Sequence, residues 1–126
     1  MRAVDTNLLV RLVTHDDAVQ LSAAEEFVRP GAWVSHVVVV EFARVLASLY
    51  DLRPREVADA VEMLLEHPSL AFHEPEVVLA ALTSFRSRPA VEFGDHLILA
   101  LARKAGHEPL GTFDRRLGKL EGAKRL

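Results

Sequence analysis

Met1–Val10 reads MRAVDTNLLV, and the reading of these ten residues decides the fold. A short apolar run, Ala3-Val4, ends at Asp5-Thr6-Asn7, and the apolar segment Leu8-Leu9-Val10 follows at once. The pattern predicts a buried central strand over Arg2 to Asp5 and the start of a helix over Thr6 to Val13. The Asp5 carboxylate then stands at the C-terminal end of a strand, where open α/β sheets place their ligand crevices. Whether other acids converge on Asp5 becomes the functional question.

The chain has 126 residues, enough for one domain over 1–126 with a real core. Half of its residues are apolar, which excludes a disordered chain. No apolar run approaches the roughly 18–20 residues of a membrane span, and nothing resembles a signal peptide, so a cytoplasmic protein is expected. There is no cysteine, which excludes disulfides, thiolate metal sites and a cysteine nucleophile. The net charge of −3 is unevenly spread. Residues 103–126 hold seven basic and three acidic residues, a balance of +4, so the other 102 carry −7. A basic end can meet phosphates, although charge alone favours a solvated tail.

Beyond the opening stretch, Asp16 to Arg29 has helical spacing, with Asp16 or Asp17 as cap and Pro30-Gly31 as stop. Ala32 to Val34 is a strand candidate. Ser35 can cap a helix from His36 to about Leu52, and Pro54 opens another that ends near His67. Ser69 to His73 is a short strand, Glu74 to Phe85 a helix and Arg86 to Val91 a loop. Gly94 to Ala105 is a strongly apolar helix closed by Gly106. Glu108 to Thr112 is a strand, Arg115 to Leu120 a last helix, and Ala123 to Leu126 an edge strand. Short strands alternating with helices predict an α/β fold, a parallel sheet with helices on both faces.

Four carboxylates occupy positions that packing alone would not choose. Asp5 ends the first strand, Asp95 lies at the start of the Gly94 helix, and Asp114 follows the strand that ends at Thr112. Each of these three can also be read as a helix cap contributing about 1 kcal/mol. Glu41 resists that explanation. On a helix it shares a stripe with Val37, Val38, Val45 and Leu49, which points it toward the core or the rim of a crevice. A carboxylate there must find a partner, shift its pKa or reach solvent. Strand ends and a helix N-terminus share one edge of a parallel sheet. Two charges about 4 Å apart repel by roughly 4 kcal/mol at an effective dielectric near 20. Hard divalent cations resolve that conflict, because Mg²⁺ and Mn²⁺ prefer oxygen ligands and suit phosphodiester hydrolysis.

In order and context, VDTNLLVRL, VSHVVVVEFARVL, FGDHLILALARKAG and GTFDRRLGKL resemble the four acidic motifs of PIN-domain ribonucleases, more narrowly of VapC-type toxins from toxin–antitoxin pairs. The resemblance covers nearly the whole chain. It implies a three-layer PIN-like α/β fold, a short, mainly parallel central sheet flanked by helices. It also implies a Mg²⁺- or Mn²⁺-dependent endoribonuclease holding one or two ions on Asp5, Glu41, Asp95 and Asp114, in which a metal-activated water attacks the phosphodiester in line. Asn7 and Thr112 become polar helpers at the site rim, and Glu92 a further acid or a surface one. Arg115, Arg116 and Lys119 become candidate contacts to the RNA backbone, or else a solvated helix. His96 follows Asp95 where the family commonly has a small residue; it can be read as a contact to the scissile phosphate, but an exposed helix face is expected for it. The implied partners are RNA, a VapB-like antitoxin and a second copy in a homodimer. The antitoxin would lie in an apolar groove of the early helices, with Phe27, Leu46, Leu49 and Tyr50 as liners or as core.

Other readings fit less well. His15-Asp16 resembles the doublet of HD-type phosphohydrolases, but His36, His67, His73, His96 and His107 show no matching pattern. A receiver domain needs an acidic pair nearer the first strand and a lysine after a late strand. The serious alternative is a PIN-fold binding module with little or no nuclease activity that acts through its antitoxin. Retention of all four acids argues against it.

Overall fold

The computed structural model describes all residues from Met1 to Leu126. The elements run β1 (Arg2–Ala3), α1 (Thr6–Thr14), α2 (Ala18–Val28), β2 (Ala32–Val34), α3 (His36–Ser48), α4 (Pro54–Leu65), β3 (Leu70–Phe72), α5 (Pro75–Ser87), α6 (Phe93–Ala105), β4 (Leu110–Thr112), a 3₁₀ turn (Leu117–Lys119) and β5 (Ala123–Arg125). Every strand pair is parallel, as the alternation of strands and helices predicts. The chain forms two compact units, Met1–Pro75 and Glu76–Leu126.

In the first unit the strand order is β1-β2-β3. This corrects one expectation. β1 is not the buried central strand but an edge of this sheet, and Arg2 and Ala3 are both exposed. The centre belongs to β2, whose Ala32 and Val34 are fully buried. Burial on the first stretch begins only at Val4, whose N–H donates to the Trp33 carbonyl at 3.1 Å. The Arg2 guanidinium lies 4.1 Å from the Phe27 ring centre and donates to the Phe27 carbonyl, which ties β1 to the end of α2.

Caps explain where the helices start. Asp5 accepts from Leu8 N–H, Asp17 from Gln20 N–H and Ser35 Oγ from Val38 N–H, each satisfying a donor that has no partner inside its helix. The end of α3 differs from expectation. The helix stops at Ser48 instead of reaching Leu52, and Asp51 adopts a left-handed φ of 53°. The left-handed Asp51 turns the chain off the helical path, and Leu52 N–H reaches back to the Leu46 carbonyl at 3.0 Å, closing the helix end. α1 packs on α2 and α3, and α3 packs on α4. The buried stripe of α3 is Val39, Phe42, Ala43 and Leu46.

In the second unit β4 pairs with β5. The helix expected over Arg115 to Leu120 contracts to the 3₁₀ turn. Asp114 caps that turn, and Arg125 crosses directly over Gly118: a Cβ there would stand 2.7 Å from Arg125 Cβ. Leu117 and Leu120 are buried with Val91 and Leu99, and Leu110 packs against them. α6 ends as expected at Gly106, whose φ of 81° suits a residue without a side chain.

Candidate active site

Asp5 leaves β1 in extended conformation and caps α1 through Oδ1, 3.1 Å from Leu8 N. The cap reading and a ligand reading of this residue are therefore compatible, since the cap takes one oxygen of two. The next residue, Thr6, is buried and donates its hydroxyl to Glu41 Oε2 at 2.6 Å. That bond joins the first turn of α1 to the middle of α3. Asp5 and Glu41, 36 positions apart in the chain, are thereby linked through one threonine. Each keeps a second carboxylate oxygen that no protein group engages.

Of the two places expected for Glu41, the core and the rim of a crevice, the structure excludes the core. Its stripe neighbours Val37 and Leu49 are 73% and 77% exposed, and Glu41 is itself exposed. The helical phase is the reason. Val39, Phe42, Ala43 and Leu46 turn inward, so the Val37–Glu41–Leu49 row faces outward. Glu41 meets its polar requirement through Thr6 and solvent. Thr6 is the residue that sequence reasoning overlooked. Its signal was present: a threonine directly after a strand-ending acid, at a helix position facing the core.

In the second unit, Glu92 is the N-cap residue of α6 without a side-chain cap bond, and its carbonyl accepts from Asp95 N–H at 3.1 Å. Asp95 lies half-buried in the first turn, where the helix dipole favours negative charge. Thr112 Oγ1 accepts from the backbone N–H of Asp114 at 2.9 Å. Asp114 Oδ1 in turn accepts from Leu117 N–H at 2.8 Å. Asp114 is thus fixed from both sides, backbone by Thr112 and side chain by the turn. Arg115, Arg116 and Lys119 are exposed beside it.

His96 overturns the expectation of an exposed helix face. It is 1% exposed, lies edge-on to Phe85 with ring centres 5.8 Å apart, and is bonded at both nitrogens. Nε2 faces the Arg88 carbonyl at 3.0 Å and therefore carries the proton. Nδ1 then accepts from Ser84 Oγ at 2.7 Å. Burial lowers its pKa and keeps the ring neutral. The side chain holds α6 to α5 and the loop after it.

Asn7 is exposed and lines a groove of about 320 Å³ between α1 and α2 with Leu8, Ala23 and Phe27. Among the other proposed liners, Leu46 is fully buried and belongs to the core. Tyr50 is held by its hydroxyl between Arg11 and Asp16.

Neither unit by itself gathers three or more His, Asp or Glu side chains into a metal cage. The donor set nonetheless fits a hard cation. Asp5 and Glu41 supply oxygen ligands only, each with one oxygen unengaged. The family model of the PIN domain matches residues 2–123, a span that runs through both units. A search of curated proteins finds no match.

Proposed function

The chain belongs to the PIN-domain family, whose members are generally metal-dependent nucleases, and from that premise we propose that it is a Mg²⁺- or Mn²⁺-dependent endoribonuclease acting as a VapC-type toxin. The observation that carries this reading is the Thr6–Glu41 bond, which joins two acids from distant motifs and leaves each with an oxygen to offer. Asp5, Glu41, Asp95 and Asp114 are the proposed ligands of one or two ions. When bound, such a cation supplies neutralisation of phosphate charge and a lowered pKa for water.

The side chains have separable tasks. Thr6 fixes one oxygen of Glu41 so that the other keeps a constant direction. The α1 cap does the same for Asp5, and Leu117 N–H for Asp114. Arg115, Arg116 and Lys119 hold RNA phosphates near Asp114. His96, buried and doubly bonded, takes no part in proton transfer.

The proposed inhibitor is a VapB-like antitoxin seated in the groove between α1 and α2, whose wall at Leu8, Ala23 and Phe27 suits an apolar segment. A homodimer is part of the same proposal. The competing reading, a binding module acting only through its antitoxin, predicts RNA that stays intact.

The test is RNA cleavage with Mg²⁺ or Mn²⁺ by the native protein, by Asp5→Asn and by the native protein with chelator. Asparagine caps a helix as well as aspartate does, so Asp5→Asn removes charge while keeping α1. We expect cleavage by the native protein alone. Cleavage that survives both changes would sink the metal–acid mechanism. Intact tRNA, rRNA and mRNA with the native protein would favour the binding module.

A further inference from the structure

The most exposed large apolar side chain inside the chain, apart from the first and last residues, is Phe113, at 81%. It stands between two residues whose positions are set: Thr112 bonds the Asp114 backbone, and Asp114 bonds Leu117 N–H. The backbone that carries the ring is fixed on both sides, while the ring contributes nothing to the core.

Its surroundings are cationic. Arg115 and Arg116 follow directly, and Lys119 closes the 3₁₀ turn. The parallel register of β4 and β5 sets Arg125 opposite Thr112 and Lys124 opposite Gly111, and Leu126 N–H donates to the Thr112 carbonyl at 2.8 Å. None of these five cations has an ion-pair partner. The basic residues just upstream differ, since Arg103 is paired with Glu108 and Lys104 with Glu76. The unpaired positive charge of the C-terminal segment therefore flanks Phe113 along the chain at Arg115, Arg116 and Lys119, and on the paired strand at Lys124 and Arg125.

Isolated exposed aromatic residues are ordinary on protein surfaces. A ring on a fixed backbone amid unpaired cations offers more, because single-stranded nucleic acid presents both phosphates and open base faces. A duplex hides its base faces in the stack. We propose that Phe113 stacks on a nucleobase of single-stranded RNA whose phosphates are held by Arg115, Arg116, Lys119, Lys124 and Arg125. This rests on the ribonuclease reading and adds to it one specificity-determining contact, the Phe113 ring.

The experiment measures binding of a labelled mixed-sequence RNA strand, and of the duplex it forms with its complement, in chelator so that nothing is cut. Phe113→Ala is expected to weaken single-strand binding roughly five- to 150-fold and to leave duplex binding unchanged. Phe113→Trp in a Trp33→Phe background is expected to restore binding, with its indole fluorescence quenched by the strand. Equal single-strand affinity for native protein and Phe113→Ala would overturn the proposal. So would a change of oligomeric state at constant affinity per protomer, which would make the ring a protein contact. The two readings fail separately. Native cleavage that Phe113→Ala matches in full removes this inference alone. Phe113-dependent strand binding by a protein that never cuts removes the nuclease reading alone.

Discussion

Thr6 decides how well two of the acids are held. Its hydroxyl makes the only side-chain bond to Glu41, and its backbone follows Asp5 directly. Thr6→Val keeps the volume and removes the donor. We expect a stability loss of about 1 kcal/mol in denaturant titration, the ordinary contribution of one hydrogen bond. If Glu41 is a metal ligand as proposed, the loss of cleavage should be larger than that, because a misplaced ligand acts on the reacting geometry. Unchanged cleavage would mean that Glu41 needs no support. His96 teaches the opposite lesson. Its place beside Asp95 predicts an exposed helix face, yet the ring is buried and bonded at both nitrogens, which makes it a structural tie.

The elements were legible where local chemistry sets them. Ser35 was read as the cap of α3, Pro54 as the opening of α4 and Gly106 as the close of α6, because each acts within one turn of its own position. The last helix is shorter than its propensity predicts because its length depends on a neighbouring strand: β5 pairs parallel with β4 and lays Arg125 across Gly118. Gly118→Ala places a Cβ 2.7 Å from Arg125 Cβ. Overpacking of this kind costs about 1–3 kcal/mol. We expect a lower Tm, with amide exchange accelerated in β5 while α1 to α4 stay protected. Wild-type exchange throughout would show that β5 yields without cost.

At the scale of the whole molecule, acid stability offers a test of the contacts that join helices. Asp16 is bonded by Thr14, Tyr50 and Arg11, so one carboxylate links the ends of α1 and α3 at the start of α2. The hydrogen bond from Thr14, then those from Tyr50 and the Arg11 charge, hold its pKa below the ordinary 3.8. A carboxyl whose folded pKa is depressed adds stability above its unfolded pKa and loses it as pH falls through the folded value. The contribution is therefore complete at neutral pH and disappears below about pH 4. Asp16→Asn should lower Tm at pH 7 and flatten the acid limb of the stability profile. Parallel acid limbs for the two proteins would show that Asp16 has no share in it. The same scale carries the family match, which spans both units and so bears on the whole chain rather than on one motif.

The sequence by itself determined the α/β class, the parallel pairing, most helix starts and the four acidic motifs, because strand-helix alternation, caps and motif order are properties of neighbouring residues. Only the tertiary structure decided that β1 is an edge, that Glu41 faces outward and leans on Thr6, and that His96 is buried. Those facts depend on strand order and helical phase against a core, which residues far apart in the chain set together. The opening stretch carries both kinds of information. Asp5-Thr6-Asn7 announced a strand end and a helix start, while the partner of Thr6 lay 35 residues away on α3.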